Sequence, residues 1–250
     1  MLVVVVVVAA LFTSGRLAQN TIGDLKTNCN KGKFCQSKPA NCDPQTNCIY
    51  FLSYAPNPAD KTVTWELLGD VGGSNQKYIA LGLSKDQSMG DDALIYCAMG
   101  SNVAPIVGLA GNPVGHSSTV AVNDPLLTVK KQLHFCLQVN SNVQLTGGGL
   151  TGTKLWCRVV QKITPTVNSS YVWNLNGGYY FLMASGKFDS KSSKFGIHAT
   201  GEDPMFPYVS NSIVNPVLAT TTTSVSSASS KNCVSQQAKQ KLVKAHEQRS

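Results

Sequence analysis

The apolar residues of this chain recur in short runs of strand length between residues 49 and 185. Segment 62–68 shows the pattern most clearly, because Val63, Trp65 and Leu67 alternate with polar residues, as in a strand with one buried face. The other runs are rich in Val, Ile, Tyr, Phe or Thr, the residues that strands favour. Strands are therefore predicted at 49–55, 62–68, 77–83, 93–99, 103–109, 119–123, 132–139, 154–162, 171–175 and 179–185.

Clusters of glycine, proline and asparagine separate these runs and predict the turns between the strands. The clusters are Pro56-Asn57-Pro58, Gly72-Gly73-Ser74-Asn75, Gly147-Gly148-Gly149 and Asn176-Gly177-Gly178. Regular short strands with such turns are typical of two packed antiparallel sheets. We therefore predict an all-β fold, an immunoglobulin-like β-sandwich over residues 49–217, with a Cys-rich lead at 19–48.

The two ends of the chain differ from this central pattern. Residues 2–12 form an apolar run of eleven, shorter than the roughly 20 residues that cross a bilayer. With the small residues that follow, the run predicts a secretory signal peptide at 1–18, although no basic residue accompanies Met1 and a buried β-strand is the alternative. Residues 218–250 are predicted to be a disordered Ser/Thr-rich linker and basic tail. We expect a secreted, extracellular protein without a membrane span.

Eight cysteines fit that compartment, since extracellular proteins keep their cysteines as disulfides. Four of them lie close together: Cys29, Cys35, Cys42 and Cys48. Their spacing differs from the short Cys pairs of zinc sites, so disulfides are the preferred interpretation. We predict two local bridges among these four and a third between Cys97 and Cys157. Eight cysteines allow 105 connectivities, so the pairing stays a prediction.

The formal charge of +8 says little about a partner of the folded region. The last twenty residues contribute 5 − 1 = +4, and residues 20–230 contribute 15 − 12 = +3. Because the lysines are scattered and no binding motif is visible, no nucleic-acid partner is expected. Asn168-Ser169-Ser170 is an N-glycosylation sequon, so Asn168 is a predicted glycosylation site.

The residues themselves offer few candidates for catalysis. The chain has no G-x-S-x-G, H-E-x-x-H or phosphate-binding loop, and no nucleophile–base set is visible. The paired acids Asp91-Asp92 and Glu202-Asp203 adjoin glycines and are more typical of turns than of general acids. We therefore expect an electron-transfer or binding module rather than a free-standing enzyme.

One block of the sequence adds a family resemblance. The stretch YIALGLSKDQSMGDDALIYC (78–97) resembles the signature of DOMON domains of the ferric-chelate reductase type, where a strand "ALGFS" precedes a "D-x-x-MG-x-DD" loop. Further segments resemble that family in the same order: 41–56, 155–163, 173–188 and FGIHAT at 195–200. The resemblance extends over about residues 30–215 and implies a DOMON-type sandwich.

The resemblance also implies a ligand. Haem-binding DOMON domains hold haem b between a methionine and a histidine, which correspond here to Met89 and His198. A thioether with an imidazole favours ferrous iron and raises its potential, which suits electron transfer. Met99 and Met205 are alternative methionines. The expected walls of the pocket are apolar side chains of neighbouring strands: Leu81, Leu83, Phe181 and Met183.

Two functions follow from this resemblance. The first is a secreted b-type haem protein that exchanges single electrons with an extracellular redox partner. The second is a haem-free extracellular binding or structural module for a sugar or matrix ligand. The family's membrane cytochrome is not recognisable here, so transmembrane ferric reduction by this chain alone is not expected. Strand edges leave oligomerisation open.

Overall fold

The computed structural model describes residues 21–99, 105–113, 119–122, 142–166, 169–200 and 207–218. A short 3₁₀ helix, Ile22–Lys26, precedes the strands. The strands are β1 Phe34–Lys38, β2 Tyr50–Asn57, β3 Thr62–Asp70, β4 Lys77–Ser84, β5 Asp92–Met99, β6 Pro105–Asn112, β7 Val120–Ala121, β8 Val143–Thr151, β9 Lys154–Lys162, β10 Tyr180–Asp189, β11 Lys194–His198 and β12 Tyr208–Val209.

The strands form two antiparallel sheets, which confirms the predicted all-β sandwich. One sheet has five strands in the order β1-β2-β3-β9-β8. The other has seven, in the order β11-β10-β4-β5-β6-β7, with β12 paired to β10. Alternate residues of β2, β3, β4, β5, β6, β9 and β10 face the space between the sheets and form the main core. Trp65 of β3 and Phe181 of β10 meet there at a ring-centroid distance of 5.7 Å.

Three disulfides are present among the described residues, and they agree with the predicted Cys97–Cys157 bridge and the two predicted local bridges of the lead. Cys29–Cys35 and Cys42–Cys48 close two short loops of the Cys-rich lead. Cys97 on β5 and Cys157 on β9 join the two sheets through the core. Cys136 and Cys233 lie outside the described residues, as do the predicted signal peptide, the tail and the predicted strand at 132–139.

The Cys-rich lead covers the outer face of the five-stranded sheet. Leu25 of its 3₁₀ helix packs against Phe51, Leu68 and Trp156 on that face. An ion network fixes the same segment, because Lys33 Nζ lies 2.7 Å from Glu66 Oε2 on β3. The lead also supplies β1, which pairs with β2 at the sheet edge. It is therefore part of the folded unit.

Two local predictions are wrong. Residues 171–175 do not form a strand: Val172 and Leu175 are buried loop residues, and the Leu175 N–H donates to the Ile163 carbonyl at 2.9 Å. Burial at the end of the sandwich explains their apolar character.

The glycine run 147–149 lies inside β8 instead of forming a turn. An added Cβ at Gly148 would lie 2.8 Å from the Trp156 carbonyl oxygen and 2.9 Å from Pro105 Cγ. The absence of a side chain there allows β8 to approach its neighbours closely.

Candidate functional site

A cleft of about 460 Å³ opens on the outer face of the seven-stranded sheet. Strands β4, β5, β6, β10 and β11 and the loop between β4 and β5 contribute to it. The lining residues are Tyr78, Ala80, Gly82, Met89, Leu94, Asn112, Thr119, Leu182, Ala184, Phe195, Gly196, Ile197, His198 and Thr200. Its volume lies within the range typical of small-molecule and cofactor sites.

The floor of the cleft consists of small residues on paired strands. Ala184 of β10 lies opposite Ala80 of β4, and Gly82 lies between Leu94 of β5 and Leu182 of β10. An added Cβ at Gly82 would lie 3.3 Å from both leucine side chains. The floor is therefore flat and apolar between two leucine walls.

His198 lies at the end of β11, opposite Gly186 of β10, and is half-buried. Its Nδ1 lies 2.8 Å from the carbonyl oxygen of Ala199. A carbonyl can only accept, so Nδ1 carries the proton and donates. In the neutral imidazole this leaves the lone pair on Nε2, which is the tautomer that binds a metal through Nε2. No other side-chain hydrogen bond of His198 is found within the described ranges.

Met89 lies in the loop 85–91 between β4 and β5 and is half-buried. Lys85 at the start of this loop makes a cation–π contact with Trp173, its Nζ lying 4.9 Å from the ring centroid. Gln87 Nε2 donates to the carbonyl oxygen of Ser210 at 3.1 Å. These contacts hold the methionine loop against the body of the sheet.

Asp92 follows this loop as the first residue of β5 and is fully buried. Its Oδ2 accepts from the Gly90 N–H at 2.8 Å and from Asn112 Nδ2 at 3.3 Å. Its Oδ1 has no partner among the described residues. Burial raises the pKa of the Asp92 carboxyl, and the hydrogen bonds from Gly90 and Asn112 only partly oppose that effect.

Aromatic side chains close the other end of the cleft. The Tyr78 hydroxyl donates to the Gly196 carbonyl at 3.3 Å, and its ring lies 5.2 Å from that of Phe195. Burial, with a smaller contribution from Tyr50, raises the pKa of Tyr78 to about 12. Tyr78 therefore remains a neutral donor at physiological pH. Ile197, 83% exposed, lies beside this end.

The predicted site residues fall into two groups. Met89 and His198 both line the cleft. The predicted walls do not, because four odd-numbered residues face the core between the sheets: Leu81, Leu83, Phe181 and Met183. Their even-numbered neighbours line the cleft instead, since successive side chains of a strand point to opposite faces. Met99 also lies in the core, whereas Met205 and Asn168 lie outside the described residues.

The floor of the cleft was not predicted from the sequence. Its signal is present in YIALGLS, where small residues at 80 and 82 alternate with large ones at 79, 81 and 83. A strand whose second face carries Ala and Gly leaves space on that face. Asp92 was seen only as a turn-forming acid, whereas the structure buries it beneath the methionine loop.

A second cavity, of about 340 Å³, lies where the Cys-rich lead meets the five-stranded sheet. Three of its charged side chains pair with one another, since Glu66 lies 2.7 Å from Lys33 Nζ and 2.6 Å from Arg158 Nη2. The Ser53 hydroxyl also donates to Glu66, at 2.5 Å. This cavity therefore serves the attachment of the lead.

The described residues contain no group of three or more His, Cys, Asp or Glu side chains placed to hold a metal ion directly. Their helical part includes no segment of the length and apolarity that a membrane crossing needs.

The described part of the chain is thus a disulfide-linked β-sandwich with a cleft on the outer face of one sheet. No family model matches the sequence. Human ferric-chelate reductase 1 is 28% identical over 163 residues, which are 64% of this chain and 23% of that protein. A Danio rerio protein provisionally named as a ferric-chelate reductase 1 is 35% identical over 75 residues, 30% of this chain and 12% of that protein.

A Xenopus laevis protein with the same provisional name is 38% identical over 70 residues, 28% of this chain and 11% of the relative. The matched parts thus span less than a quarter of each of these relatives. The chain is similar to a portion of proteins named for a redox activity. Its three disulfides fit an extracellular domain.

Proposed function

We propose that this protein is a secreted DOMON-type domain that binds haem b in the outer-face cleft and exchanges single electrons with an extracellular redox partner. The observation that carries the proposal is that Met89 and His198, chosen from the sequence, line one cleft. The similarity to ferric-chelate reductases supports a redox role.

The residues of the cleft fit a flat apolar cofactor with two axial ligands. Ala80, Gly82 and Ala184 supply a floor without bulky side chains. A thioether and an imidazole are both ligands that haem iron accepts. His198 meets a further requirement, because its Nδ1–H is held by the Ala199 carbonyl and its Nε2 keeps a lone pair.

When bound, haem b supplies one-electron chemistry at its iron. In this proposal His198 and Met89 hold the iron, and Leu94 and Leu182 exclude water from the apolar floor. Tyr78 remains protonated and keeps its hydrogen bond to Gly196, so it adds no charge to the cleft. With a thioether and an imidazole as its protein ligands, the iron would be suited to electron transfer.

The absorption spectrum of the protein purified from secreting cells tests the proposal. We expect a Soret band and, after dithionite reduction, a sharp α band typical of a six-coordinate b-type haem. A protein that is colourless and stays colourless after haemin addition would contradict haem binding. Intact mass before and after glycosidase treatment tests the accompanying proposal of N-glycosylation at Asn168.

Two substitutions test the ligand assignment. Met89→Leu removes the sulfur while nearly keeping the volume, and His198→Ala removes the imidazole. Each is expected to abolish the sharp reduced α band. Met99→Leu is the matched control, because Met99 is 5% exposed in the core and its loss leaves the cleft unchanged. An unchanged spectrum in both cleft variants, or a changed one in the control, would refute the assignment.

A second candidate function uses the same cleft without haem. Asn112, Thr119 and Thr200 add an amide and two hydroxyls to its lining, groups that hydrogen-bond sugars. The haem-free alternative is therefore a domain that binds a small sugar. Titration of the colourless protein with mono- and disaccharides, followed by changes in the NMR signals of these residues, distinguishes the two.

A further inference from the structure

The segment between Met89 and β5 has an unusual backbone conformation, with two consecutive residues at positive φ. Gly90 has φ of 131° and Asp91 has φ of 59°, both in the region that favours glycine. Asp91 is not a glycine, so its conformation is unfavourable without support from neighbouring contacts. Some other group must therefore keep this corner of the loop in place.

Asp92 provides the contacts that support this corner of the loop. Its Oδ2 accepts the Gly90 N–H at 2.8 Å and Asn112 Nδ2–H at 3.3 Å, so one oxygen ties the loop to the end of β6. Met89 and Asn112 both line the cleft, and Asp92 lies fully buried beneath them without being part of the lining. A buried carboxylate is costly unless its contacts compensate, and here those contacts lead to the candidate ligand loop.

We propose that Asp92 is a positioning residue that fixes Met89 in the cleft through the Gly90 amide and Asn112. The inference rests on the proposed function of Met89. It concerns hydrogen-bond geometry rather than the negative charge, because both hydrogen bonds end on Oδ2 and Oδ1 accepts none from the described residues.

Because only Oδ2 accepts hydrogen bonds, two substitutions of Asp92 separate the effect of the hydrogen bonds from that of the charge. Asp92→Asn replaces the unpartnered oxygen by an amide nitrogen and keeps the oxygen that accepts both hydrogen bonds. Asp92→Ala removes both hydrogen bonds. Asp91→Asn is the matched control, since it removes an exposed carboxylate one residue away and asparagine tolerates the left-handed backbone.

The first measurement is hydrogen exchange of the Gly90 amide in the protein without haem. Loss of the hydrogen bond to Asp92 Oδ2 is expected to speed this exchange about tenfold or more in Asp92→Ala. Asp92→Asn and Asp91→Asn are expected to remain within about threefold of the wild type, since neither loses that hydrogen bond. Exchange of the Ile95 amide in the same spectra reports whether each variant is folded.

The second measurement is the reduced spectrum and the midpoint potential after haem loading. Asp92→Ala is expected to resemble Met89→Leu in both, and Asp92→Asn is expected to resemble the wild type. If Asp92→Ala does not fold, Asn112→Ala replaces it, because it detaches the carboxylate from β6 and is expected to speed Gly90 exchange as well.

The outcomes are distinct. Unchanged Gly90 exchange in Asp92→Ala overturns the inference, and so does an Asp92→Asn variant that behaves like Asp92→Ala, because the charge would then be the active feature. A wild-type protein that binds no haem refutes the proposed function instead. Gly90 exchange still decides the anchoring of the loop in that case.

Discussion

The two faces of the seven-stranded sheet are built from the same strands but differ in what they leave open. On the inner face, Leu81, Leu83 and Phe181 are almost completely buried against the second sheet. On the outer face, their immediate neighbours Ala80 and Gly82 leave an open cleft. Side-chain size, alternating residue by residue, therefore separates the part of the sheet that stabilises the fold from the part that can bind a ligand.

The contrast also separates the expected costs of substitution. A large side chain lost from the inner face leaves a void, whereas a large side chain added in the cleft of the outer face occupies existing space.

Phe181→Ala is expected to have the largest effect, a loss of about 3–5 kcal/mol in the free energy of unfolding. Phe181 is fully buried and meets Tyr54 and Trp65 at centroid distances of 5.5 and 5.7 Å. Urea denaturation followed by tryptophan fluorescence measures the loss. A cost below about 1 kcal/mol would contradict the description of this face as a tightly packed core.

Replacing Cys97 and Cys157 together by alanine is expected to cost about 2–4 kcal/mol, because this bridge joins the sheets and closes a long loop. Its sequence separation is 60, compared with 6 for Cys29–Cys35. Removal of the Cys29–Cys35 disulfide, which closes the shorter loop, is therefore expected to lower the free energy of unfolding by less. Urea midpoints of the two double variants under non-reducing conditions test the order, and the reverse order would contradict it.

Ala184→Leu on the outer face is expected to change stability by less than about 1 kcal/mol and to weaken haem binding more than tenfold. The added carbons enter the floor of the cleft. Ala93→Leu makes the same change in the core and is expected to cost about 1–3 kcal/mol through overpacking, with the haem spectrum unchanged. Melting curves and haemin titrations of both variants give the comparison, and equal haem affinities would refute it.

The smallest effect is a pH dependence at Asp92. Its pKa is raised above the ordinary 3.8 by burial, so the folded state holds this proton more tightly than the unfolded state. The resulting stability is present below pH 3.8 and is lost as the pH rises through the raised pKa. The asparagine side chain of Asp92→Asn does not titrate, so this variant lacks that loss. The free energy of unfolding of Asp92→Asn minus that of the wild type should therefore be larger at about pH 7 than at about pH 3. An equal difference at both pH values would contradict the raised pKa.

Local patterns in the sequence were enough to predict most strands. The predicted alternation is present in β3, where Val63, Trp65 and Leu67 are fully buried in the core. The Cys97–Cys157 bridge and the presence of two local bridges in the lead were also predicted correctly, whereas the partners within the lead were left open. The Cys-rich lead was predicted as the start of the domain, but its strand β1 was not predicted. All five residues of β1 are half-buried at the edge of the sheet and show no alternation.

The cleft was predictable only in part. The family signature pointed to Met89 and His198, but the walls were chosen by hydrophobicity, which selects the larger face of each strand. The correct face follows from pairing register, in which Gly82 lies between Leu94 and Leu182. Asp92 could not be identified from its neighbours in sequence, because its partner Asn112 belongs to another strand.

The attachment of the Cys-rich lead has a practical consequence for recombinant production. An expression fragment starting at residue 49 would lack β1 and would uncover the aromatic patch of Phe51 and Trp156 beneath Leu25. Such a fragment would have an open strand edge next to an apolar surface, a combination that promotes aggregation. Fragments intended for crystallisation or spectroscopy should therefore begin before residue 21 and be expressed where both short disulfide loops can oxidise.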